Sequence, residues 1–286
     1  MLKLEYKLYL FSKSTLIFLL VITLISAISW GASLSEQDHI LAQNARFETA
    51  PDGDGLHIDY DGWTFLYNLW FNNGGSTALT IYFIYAWMGV VLSSRLYTER
   101  SNRLGNLVIT RQSYRERLHH TLVVQSLYIT TLVGAYILIS FIGSLVLGGG
   151  PLNASTVGIA TYGWLSWIVI ALLQFLWLSL AFVIINTFCL LLNMWIKQKQ
   201  ILQVLPFFLF FIVPLMLWSM TATSAPALFR IVSGFHTEST MLAFRFLFQD
   251  WGFDYFLSSA QTVITTTIFV AFLYPLHIKK GAIDYL

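Results

Sequence analysis

The sequence predicts an all-α integral membrane protein: six transmembrane helices behind a short N-terminal amphipathic elbow helix, with both termini cytoplasmic. Three observations predict it. Charge is scarce, with 10% of the 286 residues charged and 57% hydrophobic, against roughly 25% charged in an ordinary soluble domain. Lipid must therefore solvate most of the surface. Apolar residues also gather into six runs long enough to cross a hydrocarbon core of about 30 Å. Finally, the lysines and arginines fall on one side of the alternation that six crossings impose.

Residues 1–12 form the first element. Leu4, Leu8 and Phe11 share one helical face, and Lys3 and Lys7 share another, as in a helix lying at the lipid headgroups. A basic flank that merely orients the first span is the alternative. The first span is 14–32. Lys3, Lys7 and Lys13 ahead of an apolar run also fit a signal peptide, with Trp30-Gly31-Ala32 as a poor cleavage site. The length of the run favours an uncleaved anchor.

Residues 33–75 read as an external loop, rich in acids (Glu36, Asp38, Glu48, Asp52, Asp54, Asp59, Asp61) and turned at Pro51-Asp52-Gly53-Asp54-Gly55. Asp59-Tyr60-Asp61-Gly62 matches part of a calcium loop. The first and last ligand positions would be His57 and Asn68, however, and neither suits the ion. Trp63 to Phe71 is aromatic enough to rest at the membrane interface.

The second span is 76–94, and a basic cytoplasmic hinge, 95–117, comes after it. From Arg95 to His120 the chain carries six arginines against two acids, Glu99 and Glu116. Each arginine at mid-membrane costs about 2.5–3.5 kcal/mol on insertion scales, so this stretch stays outside the bilayer. Ser113-Tyr114-Arg115-Glu116 is a capping box that opens a helix, and the third span is 118–147. Gly148-Gly149-Gly150-Pro151 ends it. The fourth span is 162–193, and Lys197 and Lys199 mark the next turn. The fifth is 201–220, with Pro206 and Pro214 expected to kink it. Residues 221–255 form an external interfacial or re-entrant segment, because Met241 to Phe248 is too short to span and contains Arg245. The sixth span is 256–278, closed by Lys279-Lys280. With both ends inside, 13 of 16 lysines and arginines are cytoplasmic and 10 of 14 acids external, as the positive-inside rule requires.

Chemistry is sparse. No His-Glu-x-x-His, Gly-x-Ser-x-Gly or paired intramembrane carboxylates occur, so no catalytic residue is assigned. Adjacent histidines such as His119 and His120 diverge by about 100° on a helix, a poor start for a metal site even with Glu116 nearby. No metal or cofactor is expected on this chain. The lone Cys189 allows no intramolecular disulfide and, in apolar surroundings, should be inert. Nothing marks a nucleic-acid surface. No glycine-rich loop precedes Lys13-Ser14 to cradle a nucleotide. The deep polar groups are neutral: Gln125, Gln174, Asn186, Thr130, Thr131 and Thr265 to Thr267. They either hydrogen-bond between helices or line a substrate path, with Gln174 and Asn186 the candidate path residues. An ion-coupled carrier keeps an acid or histidine in the membrane, so its absence directs attention to an external energy source.

At the hinge the chain resembles the permease subunits of ABC-2 type transporters, the membrane half of ATP-binding cassette exporters. The resemblance rests on Glu99, Gly105, Leu107-Val108-Ile109 and Thr110-Arg111 followed by Ser113, about 20 residues, together with the six-span layout. Threonine stands where many members have proline, and the first external loop is longer than in compact members. The resemblance implies a multi-pass protein of a bacterial plasma membrane that works with two cytosolic ATPase subunits and a second permease copy or paralogue. ATP and magnesium would be held by the ATPases. A short helix between Arg95 and Gly105 could dock in a groove of the ATPase, with Leu96, Leu104 and Leu107 filling it and Glu99, Arg100 and Arg103 forming rim ion pairs. Arg111 completes the motif. Closure of the ATPase dimer would push on spans two and three. The apolar, aromatic interior suggests export of an amphipathic peptide, lipid-like molecule or drug. A membrane-embedded peptide-binding immunity or sensor protein without transport activity is the other class, an orienting loop is the plain alternative for the hinge, and an intramembrane enzyme lacks its reactive groups.

Overall fold

The computed structural model describes residues 2–48, 66, 70, 75–93, 113–147, 163–196, 198–214, 216 and 254–284. Among these residues every regular element is a helix. In chain order they are α1 (Leu2–Leu10), α2 (Lys13–Glu48), α3 (Gly75–Trp87), α4 (Tyr114–Leu147), α5 (Gly163–Leu192), α6 (Lys199–Phe207) and α7 (Asp254–Asp284). Two wider, π-helical turns continue α3 over Met88–Ser93 and α6 over Phe208–Ile212. Three stretches are long and apolar enough to cross a membrane: Tyr114–Val146, Ile168–Leu192 and Ser259–Gly281. Lys13–Ile28, Tyr82–Ser93 and Lys199–Ile212 are shorter apolar helices.

Each of the six apolar runs overlaps one of α2 to α7, but the ends differ. α2 does not stop at Ala32; its 36 residues reach about 54 Å at helical rise. No glycine or proline lies between Ala32 and Glu48, so nothing breaks the helix where its apolar character fades; the first breakers come at Pro51 and Gly53. α4 starts at Tyr114, within the basic hinge, because the capping box acts there. The Glu116 amide donates to Ser113 Oγ at 3.3 Å, and the Ser113 amide donates to Glu116 Oε2 at 3.2 Å. α6 contains Pro206, whose missing N–H cannot serve the Leu202 carbonyl. The widened turn begins two residues later.

α1 meets the bundle through a face absent from the Leu4/Leu8/Phe11 pattern. Leu8 is 63% and Phe11 81% exposed, while Tyr9 is buried. Tyr9 packs on Tyr128 of α4 with ring centroids 5.1 Å apart, and Tyr6 Oη pairs with Thr131 Oγ1 at 2.6 Å. Arg117 donates to Glu5 at 2.7 Å, and His120 Nδ1 lies 3.2 Å from the same carboxylate. The break between α1 and α2 is sealed by Ser12 and Thr15. The Thr15 amide donates to Ser12 Oγ, as at a helix N-cap, and Thr15 Oγ1 donates to the Tyr9 carbonyl.

α5 is the centre of the bundle. It runs antiparallel to α4, with Asn186 against Gln125 at one level and Phe175 against Gly134 further along. It runs parallel to α7, with Trp177 against Ser259 and Leu191 against His277. α3 and α6 lie antiparallel and share aromatic rings: Tyr82 with Phe211 at 4.2 Å and Tyr85 stacked on Phe210 at 6.0 Å. Phe18 of α2 fills the space beside Phe83 and Trp87. The outward rows, such as Leu16, Leu20 and Leu24 on α2 or Ile264, Ile268 and Phe272 on α7, are exposed, as lipid-facing positions are.

Gly89 lets α3 and α6 approach backbone to backbone. A Cβ there would collide with the Gln203 carbonyl and crowd Pro206, whereas a Cβ at Gly31 meets nothing within 4 Å. Gly89→Ala is expected to lower stability by about 1–3 kcal/mol, and Gly31→Ala to change it by under about 0.5 kcal/mol. Thermal unfolding of the two variants in detergent measures the contrast; equal stabilities would remove the close contact.

Candidate functional site

Hydrogen bonds and ring contacts bring one set of helix ends together. The last residues of α3 (Leu92, Ser93), the first turns of α4, the last turns of α5 (Asn186 to Asn193) and His277 near the end of α7 meet there, and α1 lies against the same part of α4. This end flanks residues 94–112, the segment that carries the basic hinge. Charges among the described residues gather at it too, with Lys7, Lys13, Arg115, Lys199 and Lys279 exposed.

Its core is a junction of neutral carboxamides. In an apolar interior an unsatisfied carbonyl costs several kcal/mol. Two carbonyls in the last described turn of α3 accept from side chains. Gln125 Nε2 donates to the Leu92 carbonyl at 3.3 Å and lies 3.5 Å from Tyr9 Oη. Asn193 Nδ2 donates to the Ser93 carbonyl at 3.4 Å. Asn186 Nδ2 in turn donates to Gln125 Oε1 at 2.8 Å. Gln125 is fully buried and Asn186 nearly so. Gln125 thus ties α1, α3 and α5 to α4, and Asn193 ties α3 to the turn after α5.

A second junction closes the same end. His277 is fully buried; its Nδ1 is 2.7 Å from the Leu191 carbonyl, and its Nε2 is 2.6 Å from Tyr114 Oη. A carbonyl only accepts, so Nδ1 carries the proton; the Tyr114 hydroxyl also reaches Met194 Sδ, to which it donates at 3.7 Å. Lys280 Nζ sits 5.3 Å above the Trp195 ring, and Gly281 leaves room for the Tyr114 ring, which a Cβ would strike. The first turn of α4, which is the last part of the hinge, is therefore clamped to α5 and α7. His277 falls inside the sixth apolar run, so the expectation of spans free of ionisable groups does not hold there. The adjoining Lys279-Lys280 disguises it as part of a basic flank.

Of the residues singled out from sequence, Leu96, Glu99, Arg100, Arg103, Leu104, Gly105, Leu107 and Arg111 lie outside the described residues. The calcium-like Asp59 and Asp61 do also. Gln174 and Asn186 are both buried on α5, but 12 residues of helix separate them by about 18 Å, so they do not form one site. Asn186 belongs to the junction. Cys189 is buried against Leu202 and Leu205. Among the described residues no group of three or more His, Cys, Asp and Glu side chains could hold a metal. Sequence alone marks Gln125 as a deep polar group, Asn186 as a candidate path residue and Tyr114 only as a member of the capping box, and does not single out Tyr9 or Asn193. Each lies far along the chain from its partner, so no local pattern pairs them.

Replacing Gln125 with leucine strands the Leu92 carbonyl and the Asn186 amide, at an expected cost of about 1–3 kcal/mol. Asn186→Leu alone should cost less, and the double variant less than the sum, with a coupling of about 0.6–2 kcal/mol. A double-mutant cycle by denaturant titration in detergent measures that coupling; strict additivity would dissolve the junction into independent side chains.

In comparisons with known proteins, no family model, no curated protein and no solved structure matches this chain.

Proposed function

We propose that this chain is the membrane-spanning permease subunit of an ATP-binding cassette exporter, driven by separate cytosolic ATPases. In this reading α2 to α7 cross a bacterial plasma membrane six times with both termini in the cytoplasm. Two ATPase subunits hold ATP and magnesium, and a second permease copy or a paralogue completes the pathway. The cargo is amphipathic: a peptide, a lipid-like molecule or a drug.

One observation carries the proposal. The arginine-rich hinge lies between Ser93 and Ser113; the Ser93 side is held in a buried polar junction, and the Ser113 side by an exposed capping box and the part-buried Tyr114–His277 pair. Gln125 and Asn193 hold the departing end, while the capping box, Tyr114 and His277 hold the returning end. A force applied to such a hinge reaches α3, α4, α5 and α7 together. A loop that only set orientation through its charge would need no such anchorage.

The test is Glu99→Ala combined with Arg103→Ala. The variant should still insert in the membrane, yet lose stimulation of ATP hydrolysis by at least about tenfold in complexes reconstituted with the ATPase that co-purifies with the tagged chain. Undiminished hydrolysis would remove the hinge from coupling. Solute movement by the purified chain alone would refute the need for a motor.

A further inference from the structure

α1 turns one side to α4 and leaves an outward half uncovered. Glu5, Tyr6 and Tyr9 make the contact. On a helical count Glu5 lies about 40° to one side of Tyr9 and Tyr6 about 60° to the other. Lys7 is about 160° from Tyr9 on the Tyr6 side, while Leu8 and Phe11 are about 100° and 160° away on the Glu5 side. Phe11 still belongs to the turn, because its amide donates to the Lys7 carbonyl at 2.9 Å.

That outward half has two kinds of surface. Leu8 and Phe11 are exposed, Phe11 more than any other large apolar side chain among the described residues. Leu16, Leu20 and Leu24 follow them along the chain as an exposed row on α2. Lys7 and Lys13, which bracket Leu8 and Phe11 in sequence, are exposed as well. Neither helix offsets these lysines with a nearby carboxylate: Glu5 of α1 is engaged with Arg117 and His120, and α2 has no acid in its first turn. The corner also lies beside an apolar stretch rather than past its end. Tyr9 meets α4 at Gln125 and Tyr128, within the span-length stretch Tyr114–Val146, and Gln125 is about 16 Å along the helix from Tyr114.

We propose that the corner between α1 and α2 binds an anionic phospholipid, with Leu8 and Phe11 against its acyl chains and the ammonium groups of Lys7 and Lys13 on its phosphate. An apolar flank and a basic flank side by side match the two parts of such a molecule. A lysine binds phosphate as a point charge. It therefore favours a headgroup of net negative charge over a zwitterionic one, whose own cation offsets the phosphate. The contact with α4 helps as well. Because Glu5, Tyr6 and Tyr9 already fix α1, the lipid meets a formed surface, and no helix has to be ordered on binding. The site rests on the chain lying in a membrane and not on the permease reading.

Native mass spectrometry of the full chain in detergent tests the site, with phosphatidylglycerol or phosphatidylcholine of the same acyl chains added. Phosphatidylglycerol should bind about twentyfold more tightly, since each lysine beside anionic lipid contributes about fivefold. Lys7→Gln with Lys13→Gln should abolish the preference, and Lys7→Arg with Lys13→Arg should keep it. Leu8→Ser with Phe11→Ser should weaken both lipids by about tenfold. Lys199→Gln with Lys279→Gln, on α6 and α7 at the same end of the bundle, should change the preference by less than about twofold. Equal binding of the two lipids by the unmodified chain would overturn the proposal, whether or not any variant folds. Equal losses from the two glutamine pairs would overturn it too, because the lipid would then be held by a diffuse basic collar and not at this corner.

Discussion

The organisation of this bundle depends on how two backbone carbonyls are satisfied in an apolar interior. Leu92 and Ser93, the last described residues of α3, are both fully buried, where water is scarce. An unsatisfied carbonyl there would cost several kcal/mol. The two carboxamides that answer them come from α4 and from the turn after α5. Satisfying the end of one helix therefore fixes the relative position of three. Because Gln125 also meets Asn186 and Tyr9, the same group sets where α1 and α5 lie.

Around this node the packing obeys the needs of a protein solvated by lipid. Hydrophobic burial contributes little between helices in such surroundings, so close fit and directional polar contacts take over. The close fit is visible at Gly89 and Gly134, where a ring or a carbonyl occupies the space of a missing side chain. Directional contacts recur at Trp177 to Ser259, Thr15 to Tyr128 and Tyr114 to His277. The largest wholly buried side chains are mostly aromatic, Trp70, Tyr85, Tyr128, Tyr136 and Phe182 among them. Such rings fill a core with few rotatable bonds.

Several of the described polar contacts share one end of the bundle. Glu5 with Arg117, the carboxamide junction and the His277 clamp all lie at the end from which the hinge departs. These bonds join α1, α3, α4, α5 and α7 at that end. The widened turn of α3 belongs to this end, with Gly89 seated closely against the Gln203 carbonyl. Further along, α5 and α7 are tied by the Trp177–Ser259 hydrogen bond and by Trp177 against Phe256.

Local chemistry makes much of this legible from the residues alone. Apolar runs and their breakers give the positions of α2 to α7, and Ser113 with Glu116 gives the start of α4, because such signals act over a few residues. The burial of Gln174 and Asn186 is readable from their apolar neighbours. The continuation of α2 to Glu48 is not, since a drop in hydropathy signals leaving lipid and does not itself end a helix. Residue order is enough to dictate helices for the described elements, apolar runs suited to lipid and a basic stretch between the second and third of those runs. That Gln125 faces Leu92, that Asn193 faces Ser93 and that His277 faces Tyr114 comes from packing alone. Those pairings join residues 33, 100 and 163 positions apart, and hydrogen bonds reach about 3 Å, so they exist only once the helices have come together.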